Sequence, residues 1–457
     1  MLNDHLIWCM AFALIMCACD DDNKKKVPPS DTQSASDTET DTASDTGLET
    51  DTGEEEVENE TPPQLPERCA TGTVAGKLSG DGNGTMPAIS NLKNEAIAAF
   101  TYDERDTASL PAVQLGFWDM ASGEWLNGYP FDDAYMSNNS SIADNGTTLA
   151  LVWLEGRAEW NPACVPSDGS GANPTCQQDV AFATITTGLV NESIPLRIST
   201  SGLAIGTPSV VSTSDGWVVL WGEAATSHQS VWSAHVSSDG VVSAPLQICD
   251  VASECRTSSD PRIITASVGD TLLAIWPGYS QGVFYVARLT KAGTLLATPV
   301  VLNEEPVYEP SLTASNGEFM ISYGMNTLND AEIFTRRIDS SGQFVGEANR
   351  ITYTDDPVKE SFVTWVDGMG YAVAWLSKKA NGSDVCVDSK CKSKVFASIL
   401  DNTGALAAVP VLVSIGETEL NPCLYVTLGG QGFTWIAAYE ILRNMRTQIL
   451  YSTFTCQ

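Results

Sequence analysis

Short apolar runs separated by polar turns recur along the chain from about residue 85 onward, and they follow one pattern of four strands. A first strand, often opened by proline, leads through a glycine-containing turn to a very apolar second strand that ends in an aromatic residue. A third strand ends at a polar turn with glycine, and a fourth strand follows. Residues 208–249 hold the clearest copy. The pattern predicts a repeat architecture made only of β-strands.

The second strands of seven copies align without gaps, and one slot is aromatic each time: Phe100, Trp153, Trp221, Trp276, Tyr323, Trp375 and Tyr439. An aromatic side chain at one register of a continuous apolar strand indicates packing between neighbouring sheets rather than ligand contact. The third strands end at glycines that supply the positive φ of a tight turn: Gly123, Gly188, Gly240, Gly293, Gly342 and Gly404.

The two ends of the repeat region predict how it closes. The seventh copy stops after its third strand, at residues 448–457, and an extra strand at residues 69–79 precedes the first copy. If these two strands pair antiparallel, the ring closes, no sheet edge stays open, and Cys69 lies beside Cys456, where a disulfide can join them. We therefore predict a seven-bladed β-propeller closed by an N-terminal strand in the last blade. Two sandwiches or a β-solenoid are the alternatives, but neither needs a last repeat completed from the N-terminus.

The other cysteines favour disulfides in an oxidising compartment. Their close pairs are Cys164 with Cys176, Cys249 with Cys255, and Cys386 with Cys391. Zinc sites are the alternative, yet these spacings lack C-x2-C knuckles and histidine partners. Cys423 stands in an apolar first strand, and we expect it to be a buried free thiol.

The N-terminus carries an apolar run at residues 6–18, which is too short to span a bilayer and typical of a signal peptide. It ends in Met16-Cys17-Ala18-Cys19, which resembles the lipobox of bacterial lipoproteins. The resemblance implies a signal peptide at residues 1–18 and lipid on Cys19. Residues 19–68 are predicted to form a disordered tether rich in Asp, Glu, Ser and Thr, ahead of the folded repeats at residues 69–457. An apolar helix packed into the fold is the alternative for the first segment.

Charge narrows the range of partners. The chain has 57 acidic and 24 basic side chains, a formal net charge of -33, and such a surface repels phosphate backbones, so nucleic acid is excluded as a partner. The chain resembles bacterial lipid-anchored extracellular β-propeller lipoproteins over residues 69–457. That resemblance implies a monomer in the cell envelope, held to a membrane by lipid at Cys19. The outer membrane or cell surface is favoured over the periplasmic face as its location.

Candidate chemistry is sparse. No H-E-x-x-H or G-x-S-x-G motif occurs, and the mature chain has two histidines, His228 and His235. His235 lies on a third strand, where packing or surface exposure is the more common role. Trp160, in the insertion at residues 159–176 that contains Cys164 and Cys176, is a candidate for ligand contact because insertions at one rim of a scaffold often carry binding residues.

Carboxylate pairs are the remaining route to catalysis, because glycosidases use two Asp or Glu side chains. The candidates are Asp260, Glu309, Asp355 and Asp356 near first strands, and Glu223 after an aromatic. The sequence favours a binding protein without cofactor or metal that recognises a protein or a glycan. The alternative is a glycan-degrading hydrolase or lyase that uses carboxylates at the central cleft.

Overall fold

The computed structural model of the protein describes residues 64–71, 76–77, 83–92, 95–103, 112–119, 124–131, 136–156, 177–186, 195–224, 229–250, 254–258, 261–280, 282–302, 307–315, 317–326, 331–353, 358–366, 369–379, 391–414, 418–420, 426–431, 434–443 and 446–456. All of them belong to the second of the two units into which the chain divides, Gln64–Gln457. The signal peptide, Cys19, Cys164, Cys176, Cys386 and Cys423 lie outside the described residues. The described residues include no helix with the length and apolarity needed to cross a bilayer.

The regular structure of the described residues is all β, in antiparallel sheets of four or five strands that repeat along the chain. The first two strands, β1 (Cys69–Thr71) and β2 (Gly76–Lys77), join the last sheet. Sheet 1 consists of β3 (Asn83–Leu92), β4 (Glu95–Asp103), β5 (Ala112–Asp119) and β6 (Glu124–Phe131). Sheet 2 consists of β7 (Met136–Asp144), β8 (Thr148–Gly156), β9 (Asp179–Thr186) and β10 (Leu196–Arg197). Sheet 3 consists of β11 (Ala204–Thr213), β12 (Gly216–Ala224), β13 (Gln229–Ser237) and β14 (Leu246–Cys249).

The remaining sheets follow the same order of strands. Sheet 4 consists of β15 (Ile264–Val268), β16 (Thr271–Pro277), β17 (Phe284–Thr290) and β18 (Val300–Val301). Sheet 5 consists of β19 (Val307–Ser315), β20 (Glu318–Asn326), β21 (Ala331–Ile338) and β22 (Phe344–Arg350). Sheet 6 consists of β23 (Val358–Val366), β24 (Gly370–Lys379), β25 (Cys391–Leu400), β26 (Val411–Leu412) and β27 (Thr418–Leu420). Sheet 7 consists of β28 (Val426–Gln431), β29 (Thr434–Arg443) and β30 (Arg446–Cys456), with β1 and β2.

Sheet 7 contains the predicted pairing of the two ends of the repeat region. β1 pairs antiparallel with β30, so that Cys69 lies opposite Cys456, and a disulfide joins the two. The extra strand predicted at residues 69–79 is present as two short strands, since β2 also pairs with β30. The predicted Cys249–Cys255 disulfide is present as well. The predictions of the Cys69–Cys456 and Cys249–Cys255 disulfides are therefore confirmed.

The first strands of successive sheets contact one another in chain order, from β3 through β7, β11, β15, β19 and β23 to β28, and β28 contacts β3. The hydrophobic core is divided into layers between neighbouring sheets; one layer joins sheets 2 and 3 around Trp221, and the next joins sheets 3 and 4 around Trp276. Five of the seven repeated aromatics have described side chains, and all five are buried: Trp153, Trp221, Trp276, Tyr323 and Trp375. For these five, the predicted core role is confirmed.

The turns between third and fourth strands also follow the prediction. Gly240, Gly293, Gly342 and Gly404 all have positive φ, while Gly123 and Gly188 lie outside the described residues. The turns rest on the preceding sheet: Ser233 Oγ donates to the carbonyl of Gly293 over 2.7 Å, and Thr335 Oγ1 donates to that of Gly404 over 2.5 Å. Each such turn therefore joins two sheets.

Two buried acidic residues tie third strands to fourth strands. In sheet 5, Glu332 is buried and accepts hydrogen bonds from Arg350 Nη2, at 2.9 Å, and from Thr352 Oγ1. In sheet 2, Asp179 is bound in the same way by Arg197 and by Ser199 Oγ. Buried carboxylates need such partners, because an unpaired charge in the interior is strongly unfavourable.

Candidate functional site

A cavity of about 200 Å³ lies among the first strands of sheets 1 to 6. Its polar lining consists of Ser140, Ser141, Thr207, Ser209, Arg262, Thr265 and Ser311. Its apolar lining consists of Pro87, Ala88, Ile89, Ile142, Pro208, Val210, Ile263, Ile264, Leu312 and Phe362. The cavity is therefore built mostly by the same part of each repeat, the middle of the first strand.

Local irregularities in the first strands shape this lining. A β-bulge interrupts the pairing of β3, β7, β11, β19 and β23 with their second strands. At these bulges Asn139, Glu309 and Glu360 adopt positive φ values of 52°, 42° and 38°, and Gly206 one of 72°. Residues other than glycine rarely adopt this conformation, and when they do they are concentrated at ligand sites. Bulges also re-aim side chains.

Hydrogen bonds lock neighbouring first strands together at the bulges. Asn139 Nδ2 donates to the carbonyl of Gly206 over 2.8 Å, which ties sheet 2 to sheet 3. The amide of Thr207 donates to the carbonyl of Pro261 over 2.9 Å, which ties sheet 3 to sheet 4. A Cβ on Gly206 would lie 2.1 Å from that same carbonyl oxygen, so only glycine fits there. The wall of the cavity is thus held rigidly.

Hydroxyl groups and one arginine contribute to the polar lining of the cavity. Ser209 Oγ and Thr265 Oγ1 lie 2.7 Å apart and share a hydrogen bond. Ser140 is 3% exposed, and its Oγ has no hydrogen-bond partner among the described residues. Arg262 is half-buried, and it is the charged residue among the described lining residues. Nowhere in the described part of the chain do three or more His, Cys, Asp or Glu side chains cluster as metal ligands would.

The strand register shows which strand ends lie near the start of the first strands. In sheet 2, Met136 at the start of β7 pairs with Gly156 at the end of β8, and Glu155 pairs with Asp179 at the start of β9. We call this side of each sheet the entry edge. In sheet 6, Lys379 at the end of β24 pairs with Lys392 near the start of β25, so the second strand ends and the third begins at the same edge there as well.

An exposed tyrosine marks the entry edge of sheet 4. Tyr279 follows β16 and is 61% exposed, and the guanidinium carbon of Arg256 lies 4.5 Å from the centre of its ring. The amide of Tyr279 donates to the carbonyl of Arg256 over 3.1 Å, and Trp276 Nε1 donates to that of Cys255 over 2.9 Å. The Cys249–Cys255 disulfide therefore helps to hold this pair of side chains in place.

The residues singled out from the sequence are not gathered in the cavity. Glu223 accepts hydrogen bonds from Trp221 Nε1, at 3.0 Å, and from Ser201 Oγ, at 2.7 Å. His235 is half-buried on β13, with Nε2 3.4 Å from Asp215 Oδ1, near the end of the sheet away from the entry edge. Glu309 lies at a bulge beside the cavity wall and is exposed. Five further candidates lie outside the described residues: Trp160, His228, Asp260, Asp355 and Asp356.

Sequence reasoning missed Arg262, Ser140 and Glu360. A signal for Ser140 and Glu360 exists, because several first strands contain a polar residue followed by proline or serine at the bulge, as in Glu309-Pro310-Ser311. Asn139-Ser140-Ser141 and Glu360-Ser361-Phe362 fit the same pattern. An alignment of first strands on this pattern would have placed Asn139, Glu309 and Glu360 at one position and Ser140 at the next.

No protein-family model and no curated protein matches this chain. Among solved structures, it is similar to a protein of unknown function from Dyadobacter fermentans, with 12% identity over 85% of this chain and 99% of that one, and a TM-score of 0.45. It is also similar to the polysaccharide lyase Uly1, with 9% identity over 86% of this chain and 92% of that one, and a TM-score of 0.45. A sialidase from Trypanosoma rangeli is 11% identical over 81% of this chain, with a TM-score of 0.38, and the match spans only 55% of the sialidase.

Proposed function

We propose that this chain is a lipid-anchored binding protein of the bacterial cell envelope, whose seven-bladed β-propeller recognises a glycan in its central cavity. The observation that carries the proposal is the cavity itself, which six first strands line with hydroxyl groups beside apolar side chains. Sugars present hydroxyls at their edges and C–H groups on their faces, so this lining matches their chemistry. Small-ligand sites of this mixed kind are common where repeated elements meet.

The proposed propeller is supported by the order of the sheets. The described strands form seven sheets, and contacts between first strands run in chain order and return from β28 to β3. The pairing of β1 with β30 covers the outer edge of the last sheet, as a closed ring requires.

The proposed anchor is supported by the sequence around Cys19 and by the disulfides. Cys19 follows a short apolar segment and precedes an acidic tract. The Cys69–Cys456 and Cys249–Cys255 bonds are those of a protein that matures in an oxidising compartment. Mass spectrometry of the protein purified from membranes tests the anchor: a lipid-modified peptide that begins at Cys19 is expected, and an unmodified N-terminus would contradict it.

Binding rather than degradation is supported by how two of the four buried carboxylates among the described residues are used. Glu332 and Asp179 are each paired with an arginine and a hydroxyl between third and fourth strands. Such pairing holds the sheet together and leaves these groups tied to structural partners.

Glycan binding in the cavity is tested by making the same substitution, serine to phenylalanine, once in the cavity and once at the surface. Ser141→Phe would fill the cavity, whereas Ser238→Phe adds the same side chain at an exposed turn. The full chain in detergent is screened against polysaccharide fragments by calorimetry, and thermal melting shows that both variants fold. We expect saturable binding that Ser141→Phe lowers at least 10-fold and Ser238→Phe leaves unchanged. Equal binding by both variants would place the site elsewhere.

A second function, glycan cleavage, is favoured by one specific observation. Glu309 and Glu360 occupy bulges of the neighbouring first strands β19 and β23, and both have positive φ. Glycoside-cleaving enzymes work with two carboxylates, and residues with strained backbone cluster at active sites. If the screen releases reducing sugars, and Glu309→Gln and Glu360→Gln each abolish the release, cleavage replaces binding as the function.

A further inference from the structure

The connection between sheets 3 and 4 carries an arginine that stacks on an exposed aromatic ring at the entry edge. The guanidinium carbon of Arg256 lies 4.5 Å from the ring centre of Tyr279, yet this tyrosine is still 61% exposed. Because the guanidinium covers one face of the ring, most of the exposed area belongs to the opposite face and to the hydroxyl. The ring therefore offers a flat surface to a ligand outside the cavity.

Backbone contacts from two sheets fix the position of this ring. Thr257 forms isolated bridges with Gln229 of sheet 3 and with Gly278 of sheet 4. Its Oγ1 also donates to the carbonyl of Pro277 over 2.9 Å. The backbone on both sides of the stacked pair is thus held in place, so a ligand that binds there loses little free energy in ordering the protein.

Two other arginines in the described chain stack on aromatic rings, but their guanidinium groups are already used by the protein. Arg336 stacks on Phe344, and its Nε donates to a backbone carbonyl over 2.8 Å. Arg350 stacks on Tyr353, and its Nη2 binds a buried carboxylate over 2.9 Å.

The arginine at the entry edge differs from these two. Within the described part of the chain, the Arg256 side chain contacts the Tyr279 ring and has no hydrogen-bond or ion-pair partner. A stacked guanidinium directs its N–H donors outward in its own plane, beside the ring. These donors are therefore available to a ligand that also covers the ring.

The charges around the pair do not favour an anionic ligand. Glu254 is exposed two residues before Arg256. The disulfide holds Cys249 and Cys255 with their Cα atoms 5.9 Å apart, so the exposed Asp250 also lies near this arginine. Such distances are within the Debye length of about 8 Å, so the carboxylates offset the positive charge for an approaching anion. A neutral group that accepts hydrogen bonds is the better match.

A sugar ring combines the two properties that this surface requires. Its C–H face packs against the electron-rich face of an aromatic ring, and its hydroxyls accept hydrogen bonds from the guanidinium. The cavity is also close, because Arg262 of its lining follows Arg256 by six residues. Six residues span at most about 20 Å, which a glycan of a few rings covers.

We propose that Tyr279 and Arg256 form a subsite for a neutral sugar ring of a polysaccharide chain, outside the cavity and on the entry edge of sheet 4. This inference rests on the proposed glycan-binding function. It extends that function from one ring in the cavity to a chain that also contacts the rim.

The test measures how affinity depends on the length of the glycan. The full chain in detergent is titrated by calorimetry with single sugars and hexasaccharides of the cellulose, xylan and laminarin series. We expect a hexasaccharide of at least one series to bind at least about 10-fold more tightly than its single sugar, since Tyr and Arg contacts often dominate binding. Tyr279→Ala should remove this gain and change the affinity for the single sugar less than about 2-fold.

Two further variants of the stacked tyrosines control for loss of structure. Tyr279→Trp keeps an aromatic face and should keep the gain with length. Tyr353→Ala removes a tyrosine that stacks on an arginine elsewhere, and it should also keep the gain. Because Tyr279 is exposed, the melting temperature of Tyr279→Ala should stay close to that of the unmodified protein. Loss of the gain in Tyr353→Ala as well would contradict a specific role for the ring at the entry edge.

Arg256 separates geometry from charge. Lysine keeps the positive charge but lacks the planar group that stacks and donates in one plane. We therefore expect Arg256→Lys to lower the affinity for the hexasaccharide about as much as Arg256→Gln. The affinity of the unmodified protein should also change little with added salt, because the ligand is neutral. Full affinity in Arg256→Lys would contradict the inference.

The outcomes separate this subsite from the proposed function. If hexasaccharides bind and Tyr279→Ala leaves their affinity unchanged, the subsite is wrong and glycan binding stands. If oligogalacturonates bind more tightly than the neutral series and salt weakens them, the choice of a neutral sugar is wrong. If Ser141→Phe leaves binding intact and Tyr279→Ala abolishes it, the subsite stands and the cavity is not the main site. If no glycan binds, both proposals are wrong.

Discussion

Single glycines at the turns between third and fourth strands connect one sheet to the next. Gly404 has a φ of +93°, and its carbonyl accepts the Thr335 hydroxyl of the preceding sheet. A Cβ at this position would lie 2.9 Å from Met320 Sδ. By contrast, Gly346 has a φ of +71° with no atom within 4 Å of a Cβ. Substitution of Gly346 therefore tests the cost of the backbone conformation alone, whereas substitution of Gly404 tests that cost together with the cost of close packing.

We expect Gly404→Ala to destabilise the protein more than Gly346→Ala. A positive φ costs an alanine about 1 kcal/mol, so Gly346→Ala should lose about that much free energy of unfolding. Gly404→Ala should lose about 2–3 kcal/mol, because the new methyl group also displaces Met320 and weakens a buried hydrogen bond. Denaturant titration of both variants measures the difference. Equal losses would show that contact between the turn and the neighbouring sheet adds little.

Residues of this kind differ in how far the sequence predicts them. The turn glycines and the buried aromatics were predicted because each recurs at one slot of the repeat. The positive φ of Asn139, Glu309 and Glu360 was not predicted, because glycine is the residue type that most commonly indicates this conformation in a sequence. A bulge adds one residue to one strand, and this addition changes which side chains face the cavity.

At the scale of single strands, the fourth strands are the least regular elements. β10, β18 and β26 contain two residues each, and two residues do not produce a recognisable alternation of apolar and polar positions. β27 was not predicted either. It pairs with Cys391–Ser393 at the start of β25, ahead of the Phe396–Ala397 segment that pairs with β26. The long second and third strands were predicted because their apolar runs are continuous.

In sheets 2 and 5 a buried ion pair fastens the fourth strand to the third, and this leads to a prediction for sheet 5. Arg350→Ala would leave Glu332 as a buried charge without its arginine, and losses of about 3–5 kcal/mol are typical of such changes. Arg337→Ala in the same sheet removes a partner of Glu318, and both of those side chains are more exposed. We expect it to cost less than about 1 kcal/mol. Similar unfolding midpoints for the two variants would contradict a structural role for the buried pair.

For the whole molecule, the disulfide between the first and last strands should matter more than the short one. Cys69 and Cys456 are 387 residues apart in sequence, whereas Cys249 and Cys255 are 6 apart. Because closing a longer loop restricts the unfolded chain more, removing the first bond should cost roughly 5 kcal/mol and removing the second roughly 2 kcal/mol. Melting of the Cys69→Ala/Cys456→Ala and Cys249→Ala/Cys255→Ala variants measures this order. A larger loss for the second variant would contradict it.

At the scale of the whole molecule, the sequence predicted that the first and last strands of the repeat region pair, but it did not predict which residues line the cavity. Pairing could be predicted because an incomplete last repeat and an extra first strand complement each other. The cavity lining could not, because it depends on which residues of six separate strands share one height, and bulges shift that alignment by one position in β3 and β7 and by two in β11.

The bond between Cys69 and Cys456 has a consequence for proteolysis. A protease that cuts a single peptide bond anywhere between these cysteines produces two fragments, but the disulfide still links them. The two cut ends are also held by the strands on either side, which remain paired within their sheets. A nicked molecule therefore stays in one piece, and both halves separate only after reduction and unfolding.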